Sequence, residues 1–124
     1  MKLAKLIDPR FNNALRKLLS SPVSIATAST LKNLAADVRK AVEDYEKTRV
    51  EILNKYGDKK EDGSLAVNES GSATFSEDNM KKFSGEITAA LEKDVEMIKI
   101  AAKELADVKI SADELAFLDE LIHQ

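Results

Sequence analysis

Cysteine and tryptophan are absent from this 124-residue chain, and histidine occurs once, at His123. Without cysteine there is no disulfide scaffold, thiolate metal site or cysteine nucleophile. A single histidine makes neither a metal cluster nor a charge-relay system. Proline occurs twice and glycine four times, so helices can run long without a breaker. Aromatic residues make up only 5%, which leaves a core to be built from Leu, Ile, Val and Ala. No stretch approaches the roughly twenty apolar residues of a membrane-spanning helix. The opening Met1-Lys2-Leu3-Ala4-Lys5-Leu6-Ile7-Asp8-Pro9 breaks its apolar run too early for a signal peptide. An excess of one charge is lacking too, since 19 basic residues face 22 acidic ones, a net charge of −3. Both signs read as interspersed, and on that balance neither nucleic acid nor an anionic membrane is an expected partner.

What is present is helical periodicity, on a length that suits a single domain over residues 1–124. The expected fold is mainly α (α+β), with four or five helices, one of them long, and a small β-hairpin. A helix over 9–19 follows from Asp8 as N-cap and Pro9 at the first helical position. Phe11, Leu15 and Leu18 then recur, until Ser20-Ser21-Pro22 stops the run. The dominant helix spans 24–56, free of Pro and Gly until Gly57. Its positions Leu31, Ala35, Val38, Val42, Tyr45, Arg49, Ile52 and Tyr56 alternate spacings of four and three, the pattern of a packed seam. At 1.5 Å per residue such a helix is roughly 50 Å long, against roughly 35 Å for a compact domain of this size. It should project beyond its globule, fold back against another helix, or pair with a second chain. Core packing explains most of this stripe; a partner surface on the overhang, at the distal seam residues Tyr45, Arg49, Ile52 and Tyr56, is the other reading, a homo-oligomer through the long helix included.

Beyond Gly57, Leu65/Val67 and Ala73/Phe75 alternate around Asn68-Glu69-Ser70-Gly71, which predicts a hairpin over 64–75. Ser76 caps a helix over 76–93, with Glu77 and Asp78 in its first turn, a Phe75–Met80 staple, and a buried stripe of Met80, Phe83, Ile87 and Leu91. A capping box of Ser111 and Glu114, with an Ile110–Leu115 staple, opens the last helix, 111–122. Residues 2–7 fit a short strand or a lead-in, and 95–100 fit strand or helix.

The one metal-like register lies at 58–69. Asp58, Asp62, Ser64 and Glu69 occupy positions 1, 5, 7 and 12 of an EF-hand loop, with Gly63 at position 6. Lys60 puts a cation where position 3 needs a ligand, and Glu69 lies in a turn sequence instead of opening a helix, so a solvated turn without metal is expected. No carboxylate pair, phosphate loop or nucleophile elbow accompanies it, and the expectation is a protein with no enzymatic activity and no cofactor.

The stretch Tyr45-Glu46-Lys47-Thr48-Arg49-Val50-Glu51-Ile52-Leu53-Asn54-Lys55-Tyr56-Gly57, continuing through Glu61-Asp62-Gly63, resembles small uncharacterised proteins of tailed bacteriophages. So does the segment Leu105-Ala106-Asp107-Val108-Lys109-Ile110-Ser111-Ala112-Asp113-Glu114-Leu115, and the likeness covers residues 30–122. It brings no catalytic residues. It implies a phage accessory protein in the cytoplasm of the infected bacterial host, acting by binding a protein partner of host, defence or phage origin. Inhibition of a host or defence protein is the first expectation. A structural or assembly role in the virion head or tail is the alternative, and a calcium-binding module at 58–69 is the second.

Overall fold

Residues 1–123 are described in the computed structural model of the chain. The elements run α1 (Leu3–Leu6), α2 (Pro9–Leu19), α3 (Ile25–Tyr56), α4 (Glu77–Leu91), β1 (Ile100–Ala101), a 3-10 turn (Ala102–Leu105), α5 (Ala112–Leu118), a second 3-10 turn (Asp119–Leu121) and β2 (Ile122–His123). The protein is mainly helical, with one long helix and a small two-stranded sheet, as the sequence leads one to expect.

Local chemistry sets the helix starts. Asp8 Oδ1 accepts the Arg10 backbone N–H at 2.8 Å, and Pro9 takes the first helical position. Ser76 Oγ accepts from the Asn79 backbone at 3.2 Å. At α5 the capping box closes in both directions: Ser111 Oγ accepts from Glu114 N at 3.1 Å, and Glu114 Oε1 accepts from Ser111 N at 2.9 Å. Each satisfies backbone donors that a helix N-terminus leaves without a partner.

Three expected elements are corrected. Residues 3–6 form a helical turn, flanked by an antiparallel bridge from Lys2 to Asp94. The last helix ends at Leu118 instead of 122, because Ile122–His123 extends to pair in parallel with Ile100–Ala101, in the register Ile100↔Ile122. In the 95–100 segment only Ile100 belongs to a strand, β1, and residues 95–99 carry no regular structure. Helix α4 stops at Leu91, and its apolar stripe is not buried: no α4 residue is fully covered, and Met80 is exposed. Phe75 stacks on Phe83 instead, their ring centroids 4.8 Å apart.

The chain gathers into two compact units, so the expected single domain takes a finer form. Unit 1 comprises residues 1–42 and 94–124, and unit 2 is Glu43–Lys93, with α3 contributing to both. Unit 1 holds the core. Phe11, Leu6, Leu18, Leu34, Ile100, Leu118 and Leu121 are its largest fully buried side chains, each contributing about 1.5–3 kcal/mol through burial.

Unit 2 is ordered differently. Between α3 and α4 the backbone makes the same turn twice, eight residues apart. Lys60 N donates to Ser64 O at 2.7 Å and Gly63 N to Lys60 O at 3.0 Å. Asn68 N then donates to Ser72 O at 2.8 Å, and Gly71 N to Asn68 O at 3.0 Å. Gly63 and Gly71 have φ of 87° and 81°, the left-handed conformation that favours glycine. Three residues at the same interval close a ring of backbone hydrogen bonds: Asp58 N to Thr74 O, Thr74 N to Ala66 O, and Ala66 N to Asp58 O. The hairpin expected at 64–75 thus has its turn in place, but its arms make a single bridge, Val67↔Ala73. A twin turn with its own bridge, Lys59↔Leu65, precedes it where a plain loop was expected. At the end of α3, Gly57 lets the chain pass closely, since a Cβ there would lie 2.6 Å from Leu65 Cδ2 and 2.9 Å from the Leu53 carbonyl oxygen.

Candidate partner-binding surface

The four distal seam residues of α3 differ in burial. Tyr45 and Ile52 are each only 8% exposed. Arg49 is half-buried and reaches Glu46 Oε2 at 3.1 Å. Tyr56 is half-buried beside Glu86, whose Oε1 lies 3.4 Å from Lys55 Nζ. The Tyr56 hydroxyl first, and then the Lys55 ammonium, hold the Glu86 carboxyl below its ordinary range. Tyr45 and Ile52 thus pack inside the protein, as the core reading of the seam has it, while Arg49 and Tyr56 keep part of their surface exposed. The exposed apolar residue on this stretch is Val50.

The calcium register comes apart in three dimensions. Asp62 Oδ1 accepts from Ser64 Oγ at 2.6 Å and from Ser64 N at 3.0 Å, and those bonds draw the Asp62 carboxyl below its usual range. Asp58 contributes backbone bonds to the ring, while Glu69 lies in the second turn and not the first. An EF-hand wraps one loop around one ion, whereas these four residues are spread over two turns. Among the described residues no group of three His, Cys, Asp or Glu side chains is disposed to hold a metal.

The chain leaves its most exposed large apolar residue in unit 1, at the junction of α2 and α3. Pro22 prevents α2 from continuing, and Leu19 at its end remains 38% exposed. Ser24 Oγ accepts from Thr27 N at 3.2 Å as α3 begins, and Ile25 on that first turn is 91% exposed. Close by lies a cavity of about 350 Å³ lined by Leu19, Ser21, Val23, Ala28, Leu31 and Lys32. Seven residues of α-helix turn through roughly 700°, nearly two full revolutions, so Ile25, Lys32 and Arg39 align along one exposed face of α3, with Ala28 and Ala36 between them. Covering Ile25 would gain about 2 kcal/mol. A second, smaller apolar cavity of about 200 Å³ opens in unit 1 among Leu18, Leu105, Val108 and Leu115.

Charge is not interspersed as the sequence reading had it. Eight of the 19 basic residues fall within 1–42, against Asp8 and Asp37 alone, and the remaining eleven face twenty acids. Unit 1 neutralises part of this by pairing its two segments. Lys17 Nζ meets Glu114 Oε1 at 2.8 Å, and Lys5 reaches Glu120 at 3.6 Å. The Lys17 ammonium and then the Ser111 backbone pull the Glu114 carboxyl down to about 2. Arg10 pairs with Asp8 at 2.8 Å. Arg16, Lys32 and Arg39 are exposed and make no ion pair among the described residues. A running charge count along the chain carries this signal, whereas total charge conceals it.

No helix among the described residues is long and apolar enough to cross a membrane. Comparison with known proteins yields no relative: no family model matches the chain, and no curated protein or solved structure is significantly similar to it.

Proposed function

We propose that this chain is a non-enzymatic accessory protein that works by binding another protein through the Leu19–Ile25 edge of unit 1. The observation that carries the reading is Ile25, 91% exposed on the first turn of α3, one helical turn before Ala28, which lines an open cavity with Leu19, Val23 and Leu31. A lone exposed apolar side chain is ordinary on a protein surface. One set beside a concave apolar site, next to an exposed Leu19, supplies the buried centre and wettable rim of a binding patch. The likeness of residues 30–122 to small phage proteins supports synthesis in an infected bacterium. There the partner is a host or defence protein whose surface this chain occupies.

The test compares wild type with Ile25→Asp in cross-linking from infected cells. The variant should melt with the wild type, because position 25 buries nothing, yet lose the cross-linked partner. Retention of the partner by a folded Ile25→Asp protein removes this surface from the reading. Recovery of head or tail proteins alone replaces the inhibitor role with one in virion assembly.

A further inference from the structure

From the distribution of charge and cavity we infer that the Leu19–Arg39 face of unit 1 receives an acidic segment of another protein. That segment seats an apolar side chain in the cavity and lays carboxylates against Lys32 and Arg39. The inference rests on the protein-binding reading above and adds the chemistry of the partner.

Three features point to this occupant. The cations of this face are left over: Lys5, Arg10 and Lys17, elsewhere in unit 1, find carboxylates, while Lys32 and Arg39 make no ion pair among the described residues. Lys32 lines the cavity itself, so an apolar group entering there brings its own flanking residues against an ammonium. Arg39 follows seven residues later, roughly 10.5 Å along the helix axis, a distance that about three residues of extended chain cover. Between Ile25 and Val42 the one acidic residue is Asp37, so a partner's carboxylates meet little repulsion along this stripe. Opposite charge across such a face steers encounter and fixes register, and its effect fades with salt. The cavity decides between partner classes. A nucleic-acid backbone or a lipid headgroup layer would use the cations and leave an apolar hollow of about 350 Å³ unfilled. A peptide with an apolar anchor uses both.

The experiment titrates the full chain with three synthetic peptides of one design, in which a central leucine pair is flanked by glutamates, by glutamines or by lysines. Backbone amide shifts report where each binds. The glutamate peptide should shift amides between Leu19 and Arg39, bind about tenfold more tightly than the glutamine peptide, and weaken steeply at high salt. Lys32→Glu combined with Arg39→Glu, both at exposed positions, should remove that preference while leaving the melting temperature in place. Ile25→Ser should weaken the glutamate and glutamine peptides alike. Equal binding of the glutamate and glutamine peptides at this face overturns the acidic partner but leaves the binding surface standing. Perturbation of the face by none of the peptides overturns both. Anionic vesicles or a DNA duplex shifting these amides where the peptides do not overturns both as well, in favour of a polyanion.

Discussion

The seven largest fully buried side chains all lie in unit 1, whereas unit 2 buries Tyr45 and Ile52 at 8% exposure and leaves α4 without one fully buried residue. Unit 1 is held by apolar side chains drawn from segments far apart in sequence. Unit 2 is held by backbone: a repeated turn, two left-handed glycines, a closed ring of hydrogen bonds and a capped helix. Its side chains add the Phe75–Phe83 stack and the Lys55–Glu86 pair. Such a contrast implies different responses to the same kind of damage, because burial energy is spread over a core while a turn depends on one or two positions.

The largest effect should come from Phe11→Ala. Phe11 is 1% exposed, and truncating a buried phenylalanine costs about 3–5 kcal/mol, much of the stability of a typical small domain. Calorimetry should find the thermal transition of the protein strongly lowered or lost; a shift of only a few degrees would mean that unit 1 can repack around the hole. Gly57→Ala should cost less, about 1–3 kcal/mol, the range for overpacking. The Leu65 methyl can move away from the new Cβ, but the Leu53 carbonyl oxygen is backbone and cannot follow as easily. Hydrogen exchange should then speed up across 57–75 while the amides of α2 and α5 keep their protection. Equal loss in both units would erase the distinction drawn between them.

The smallest effect is electrostatic and belongs to unit 1. Glu114 titrates near 2 in the folded protein against an ordinary 4.5, so the folded state favours its ionised form. Its contribution is complete above about pH 4.5 and disappears as pH falls through that value toward 2. Being partly solvated, the pair with Lys17 is also screened, and its share of stability is modest. Melting temperatures followed from pH 6 down to pH 2 should fall less steeply for Glu114→Gln than for wild type. Parallel curves would show that the Lys17–Glu114 contact leaves the acid limb unchanged.

Helix starts were legible in the sequence because a cap is a local event. Asp8-Pro9, Ser76 and Ser111 with Glu114 each contain nearly all the information their helix needs. The end of the last helix was not legible, since Ile122 leaves the helix to pair with Ile100, and no local pattern announces so distant a partner. The long seam was legible as a seam. Its division between two units was not, because spacings of four and three look the same whichever neighbour covers them. The twin turn is spelled out as Lys60-Glu61-Asp62-Gly63-Ser64 and Asn68-Glu69-Ser70-Gly71-Ser72, yet the density of charge in the first copy made it look like a loop. The Phe75–Phe83 stack had no signature in the sequence beyond the two rings themselves. The Leu19–Ile25 patch had no periodic signature, for it arises where two helices meet.

Unit 2 is one uninterrupted stretch of chain, 43–93, inserted into a unit whose two parts flank it. On the ribosome this sets an order. The first 42 residues emerge with Leu6, Phe11, Leu18 and Leu34 in place but only part of their cover made, because Ile100, Leu118 and Leu121 follow after the inserted stretch. Residues 43–93, by contrast, have all their partners as soon as Lys93 is out, and their turns close over intervals of eight. The bond that joins Met1 to Val95 spans 94 positions and cannot form until the inserted stretch has been made. A nascent chain therefore carries its future core incompletely covered until Ile100, Leu118 and Leu121 are made, and that interval is when a chaperone or a premature partner would find it.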